Sequence, residues 1–204
     1  MMNLTILDNG LKVASRTMPG VETVAVGLYA EAGSRHEPAR VNGIAHLFEH
    51  MVFKGAGGRT ARELSETIED VGGDLNASTD RDQTNFTASL LAEHLPLGLE
   101  LISDMILRPH FAADDLAREK EVVLQELAEA RDAPGDIIFD ELWEAAWPDQ
   151  PLGRSILGDE TSIEAIALAD LHDWRTDLYR AGGLTLVAAG KVAHEELEIG
   201  RAHV

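Results

Sequence analysis

Gly43 to Gly58 reads GIAHLFEHMVFKGAGG and sets His46, Glu49 and His50 within five residues. On a helix, residues four apart share a face, so both imidazoles can reach one ion. Glu49 lies beside that face, where a carboxylate can serve as a base next to an ion without binding it. The order His-x-x-Glu-His inverts the H-E-x-x-H zinc motif. With 8 histidines and 20 glutamates in 204 residues, chance supplies roughly 0.03 such matches. That weighs against the alternative, a solvated helix with three polar residues.

Two histidines do not complete a catalytic zinc site, which takes three protein ligands and keeps a position for water. The chain has no cysteine, so any such site must use histidine and carboxylates. The stretch DDLAREKEVVLQELAEARD offers Glu119, Glu121, Glu126 and Glu129. Glu119 and Glu126 are seven apart, two helical turns, and so share a face. Glu121 and Glu129 read more easily as solvent-facing charges. Spacing alone does not choose among the four.

The flanking segments predict the elements that must position these groups. Asp8-Asn9-Gly10 signals a hairpin turn between two apolar-rich strands. VETVAVGLYAEAGS reads as a longer strand ending at Gly33. Asn42 is the expected N-cap of a helix from Gly43 to Phe53, stopped by GAGG. Thr60 should cap a second helix. DLNASTDRDQTNFTASLL reads as two strands around Asp80-Arg81-Asp82. Leu95, Leu99, Ile102 and Ile106 recur at helical spacing up to Pro109. An acidic helix runs from Asp114 to about Arg131 and breaks at Pro134-Gly135. Helices over Ile137–Trp147 and LADLHDWRTDLYR follow, then a closing strand in GGLTLVAAGKV. Trp143, Trp147 and Trp174 are expected in the core. His36, His94, His110, His172 and His194 are read as surface or packing residues. Strands early, midway and late, with helices clustered between them, predict an α+β fold with a mostly antiparallel sheet and helices packed on it.

Composition narrows the function classes. A net charge of -19 argues against nucleic-acid binding and suits basic or amphipathic peptide partners. No stretch approaches the ~20 apolar residues of a membrane span. MMNLTILDNG lacks the charged and apolar regions of a secretory signal. A cytoplasmic location with no membrane partner is the expectation.

HLFEHMVFKG, with Glu126 in EKEVVLQEL, resembles the pitrilysin-type zinc peptidases, and within them the mitochondrial processing peptidase and its bacterial relatives. GSRHE, GGDLNASTDRDQTNF and LGRSILGDETSI carry the likeness along nearly the whole chain, from about Leu4 to Val192. The resemblance implies that His46, His50 and Glu126 bind one Zn2+, that Glu49 is the general base, and that Glu119 supports a ligand. It also implies that LNAST is an edge strand of the cleft, where Asn76 and Ala77 meet an extended peptide by strand addition. The implied activity is endopeptidase hydrolysis of extended peptides.

Members of this branch have about twice this length, in two similar α+β halves. Residues 1–198 resemble the first half only. IGRAHV, residues 199–204, resembles one reading frame of a sequencing-library adapter and is read as a non-native tail. Pairing with a second half, a homologous subunit or a second copy of the chain is therefore expected. A non-catalytic binding or scaffold subunit is the competing function. The family's non-catalytic subunits typically lack the intact motif, whereas His46, Glu49, His50 and Glu126 are all present here. Zinc hydrolysis of a non-peptide substrate is a weaker third reading, which the peptide-pairing LNAST strand disfavours.

Overall fold

The structure is a computed structural model that describes residues 2–199. Gly200–Val204, most of the suspected tail, lie outside the described residues. The Asp8-Asn9-Gly10 turn joins β1 (Asn3–Ile6) to β2 (Lys12–Thr17) as an antiparallel hairpin. Gly10 sits at φ 92°, which glycine enters without a Cβ clash. β3 (Thr23–Ala30) stops three residues before the expected Gly33. Two 3-10 turns, Ser34–His36 and Ala39–Val41, lead to α1 (Ile44–Val52).

Asn42 is not the cap of α1. Gly43 takes that position in the left-handed region, at φ 94°, and the Asn42 side chain bonds Glu37 and the Ser155 carbonyl. GAGG does more than stop the helix. It belongs to a short hairpin of β4 (Gly55–Ala56) and β5 (Arg59–Thr60). Thr60 then caps α2 (Ala61–Glu69): its hydroxyl accepts from the Glu63 N–H, and the Glu63 carboxylate accepts from the Thr60 N–H.

β6 (Asp74–Thr79) and β7 (Thr84–Leu91) form the second hairpin. After a 3-10 turn, α3 (Leu95–Leu107) buries Leu95, Leu99, Ile102 and Ile106, the four residues picked out by spacing. α4 (Ala113–Asp132) is followed at once by α5 (Pro134–Ala146). Pro134 starts α5 instead of separating it, because a first-turn proline loses no helical hydrogen bond. α6 (Glu160–Ala165), not foreseen from the sequence, precedes α7 (Leu168–Leu178), β8 (Leu184–Gly190) and α8 (His194–Ile199). His194 ties α8 to the first hairpin through Thr5 and Ser15.

The main sheet has the order β1-β2-β8-β3-β7-β6. Only β2 and β8 pair in parallel; every other neighbour is antiparallel. Phe86, Ala88 and Leu90 of β7 alternate with more accessible residues, as do Leu184, Leu186 and Ala188 of β8, so one face is buried. α1 contributes Leu47, Phe48 and Met51, all at 0% exposure, to the core. Phe48 stacks on Tyr179 with ring centroids 4.6 Å apart. This apolar face anchors α1 and leaves its opposite face for polar work.

α5 departs from expectation. It buries no residue, and Ile138, Phe139 and Leu142 are each at least 60% exposed. Of the three tryptophans, only Trp174 is in the core. Trp143 and Trp147 stack on each other, and the Arg81 guanidinium lies over Trp143. Among the described residues, no helix is long and apolar enough to cross a membrane.

Candidate metal centre

α1 and α4 pack against each other. Their facing residues bring His46, His50 and Glu126 into one group. The two Nε2 atoms are 3.2 Å apart, and Glu126 Oε2 lies 3.7 Å from that of His46 and 3.6 Å from that of His50. Ligand bonds of 2.0–2.1 Å at tetrahedral angles give edges of roughly 3.3 Å, so the three atoms already outline one face of a zinc tetrahedron. Glu126 Oε2 is buried with no hydrogen-bond partner among the described residues. An orphaned carboxylate oxygen facing two imidazoles has its desolvation offset if it binds a cation. Two nitrogens and one carboxylate oxygen suit zinc in donor type as well.

Protonation favours the same use. Burial first, and His50 second, lower the His46 pKa to about 4, so this ring is neutral at pH 7, as a metal ligand must be. His50 Nδ1 lies 3.1 Å from Glu119 Oε2, and Glu119 Oε1 is 2.8 Å from Lys54 Nζ. A carboxylate on Nδ1 holds the N–H there and leaves Nε2 with its lone pair toward Glu126. Glu119 itself is 6% exposed. Glu121 and Glu129 are exposed on the outer side of α4, away from the cluster.

Glu49 stands beside the group on α1. Burial raises its pKa, while hydrogen bonds from Thr79 and the charge of His50 oppose the rise. Its Oε2 is buried without a partner among the described residues. A carboxyl raised toward neutrality, with one oxygen free, can take and return a proton.

Asn76 and Ala77 lie on β6, the edge of the main sheet. Asn76 is exposed, and its Oδ1 accepts from the Ala77 N–H at 2.9 Å. β6 ends at Thr79, next to Glu49, so the free edge leads toward the base.

Three residues of this centre were missed from the sequence. Lys54, four after His50, could have been found by extending the same helical spacing. Thr79 carries no local signal. Glu37 closes the GSRHE segment that carries the likeness, but no spacing gives it a role; it is 2% exposed, and its carboxylate accepts from the Gly43 and Ala45 N–H groups at the start of α1.

Residues 12–160 match the family described as Insulinase (Peptidase family M16). The chain is 39% identical over 201 residues to the mitochondrial-processing peptidase subunit beta of Rattus norvegicus, covering 98% of this chain and 41% of that one. It is 36% identical over 195 residues to an uncharacterized zinc protease of Rickettsia felis, covering 96% of this chain and 47% of the other. In fold it is similar to the crystal structure of a peptidase M16 inactive domain from Pseudomonas fluorescens, with a TM-score of 0.92, 24% identity, and coverage of 99% and 49%. The chain thus spans less than half the length of these relatives. By the family match and these identities, it belongs to the M16 (insulinase) peptidase family.

Proposed function

We propose that this chain is the zinc-binding part of an endopeptidase that hydrolyses peptide bonds in extended peptides. The convergence of His46 Nε2, His50 Nε2 and Glu126 Oε2 within 3.7 Å, beside the Glu49 carboxyl, carries the reading. His46, His50 and Glu126 would hold one Zn2+, which when bound supplies Lewis acidity toward a water and the scissile carbonyl.

The chain's own residues do the rest. Glu49 takes the proton of the attacking water on its free oxygen and returns it to the leaving amine. Thr79 orients the Glu49 carboxyl from the end of β6. Glu119 keeps the His50 ring in the tautomer that presents Nε2, and Lys54, 2.8 Å from its other oxygen, holds the Glu119 carboxylate in place. The free edge of β6 would pair with the backbone of an extended substrate, with Asn76 turning its side chain off the Ala77 N–H to open that position.

Relatives more than twice as long, one named as a subunit, support pairing with a second half or a homologous subunit. A purely non-catalytic subunit would have no use for the complete quartet of two histidines and two glutamates. The test is Glu49→Gln in the chain supplied with the second half of a bacterial relative. The variant should retain zinc and lose peptide cleavage. Cleavage at the unsubstituted rate would remove Glu49 from the role of base.

A further inference from the structure

His46 and His50 are held differently. His50 has a side-chain partner, Glu119, that fixes its ring. His46 lacks the equivalent: its Nδ1 is buried and unpartnered among the described residues, and only its Nε2 meets His50 and Glu126. With no second-nitrogen partner to fix the ring, its direction depends more on the backbone of the first turn of α1, where it is the third residue.

That turn lacks an ordinary cap. Gly43 has no side chain, and the first N–H groups of a helix have no partner within it. Glu37 replaces the cap from outside the helix. Its Oε2 accepts from the Gly43 N–H at 2.8 Å and its Oε1 from the Ala45 N–H at 2.8 Å. Asn42 Nδ2 donates to the same Oε2, at 2.5 Å, and also to the Ser155 carbonyl. Ser162 Oγ donates to the Asn42 carbonyl, and Arg154 to the Glu37 carbonyl. The carboxylate thus ties the start of α1 to the segment 154–162. A negative charge at a helix N-terminus is favoured by the exposed N–H dipoles there.

Resting on the zinc reading above, we infer that Glu37 is a positioning residue for the metal centre, its buried carboxylate fixing the first turn of α1 and through it the His46 imidazole. Burial pushes the Glu37 pKa up to about 7 against the pull of these partners, Arg154 included. Only a side chain with two acceptor oxygens meets both the Gly43 and the Ala45 N–H.

The test compares the full chain with its Glu37→Gln variant. An amide offers one acceptor where the carboxylate offers two and turns an N–H toward an N–H. Zinc affinity is read by competition with a chromophoric chelator at pH 7.5. Amide hydrogen exchange at Gly43–Leu47 is read on the metal-free protein, and the thermal midpoint on both. Leu197→Ala, in the helix packed on β2, controls for general loss of stability. The expected result is a zinc affinity lowered about tenfold, as for other groups that orient metal ligands. Exchange should speed up at Gly43–Leu47 while β3 and β7 stay protected, and zinc affinity should fall further than the drop in midpoint accounts for, judged against Leu197→Ala. Leu197→Ala should lower the midpoint and leave zinc affinity alone.

Equal zinc affinity with unchanged exchange in Glu37→Gln would overturn the inference. A full chain that takes up no zinc would overturn the zinc reading instead. The exchange data would then still decide Glu37: selective loosening of the first turn supports its hold on α1, and unchanged exchange refutes it. Should Glu37→Gln not fold, Asn42→Ala removes one donor to the same carboxylate. It should show the same pattern at a few-fold loss of zinc affinity, and an unchanged affinity would again refute the role.

Discussion

Raising the pH from 5 to 8 should cost the metal-free chain stability at Glu37. Its pKa rises from 4.5 in the unfolded chain to about 7 when folded. The folded state therefore holds its proton more tightly than the unfolded state. The associated stability is fully present below pH 4.5 and is lost as pH climbs through 7. At 1.36 kcal/mol per pH unit, the whole difference is about 3 kcal/mol, of which about 2.5 kcal/mol falls between pH 5 and 8. Other groups titrate in the same window, so the measurement is the difference between the chain and its Glu37→Gln variant, which cannot titrate there. Urea unfolding with a chelator present, at both pH values, gives that difference. The unsubstituted chain should lose about 2.5 kcal/mol relative to Glu37→Gln on going to pH 8, equal to roughly 5–10 °C in thermal midpoint. If the two proteins change in parallel, burial does not govern the Glu37 carboxyl and the reasoning fails.

His46 should act in the opposite sense. Its pKa is depressed to about 4, so the metal-free chain should lose stability as pH falls from 6.5 through 4, and His46→Gln should flatten that slope in the same urea series. Zinc at 100 times its dissociation constant should stabilise the chain by about 2.7 kcal/mol. Calorimetry should show the stabilisation absent in His50→Ala. Glu119→Ala should weaken zinc binding roughly 10- to 100-fold, and Lys54→Met should weaken it less, both read by chelator competition. Phe48→Ala, on the buried face of α1, should cost about 3–5 kcal/mol in urea unfolding.

The motif helix was legible because two constraints met in one stretch. Leu47, Phe48 and Met51 mark the buried side, and His46 with His50 mark the other at spacing four. The later helix was legible as a helix, but its four glutamates were not separable by period. Val123 and Leu127 turn α4 against the core and leave Glu121 and Glu129 outward. Only packing against α1 brings Glu119 and Glu126 to the histidines. Glu37 stayed hidden because a buried charge in an irregular segment has no periodicity, and its partners lie as far away as Arg154. Asn42 had the chemistry of a cap and a different employer. Trp143 and Trp147 show that a pattern can predict a helix without predicting what covers it.

β8 lies between β2 and β3, pairing Lys12 with Thr185 on one side and Val24 with Gly190 on the other. The centre of the sheet is thus supplied by the last strand of the described residues. During synthesis, the first hairpin and β3 emerge more than 150 residues before the strand that joins them. His46, His50 and Glu126 all leave the ribosome before that closure. Contacts so distant in sequence are slow to form, and until β8 arrives the edges of β2 and β3 are open to wrong partners. By order of emergence the sheet closes after the residues of the candidate metal centre have been made. A nascent chain halted before Leu184 should expose those edges and bind chaperones, and release on addition of residues 184–190 would mark the moment at which the fold closes.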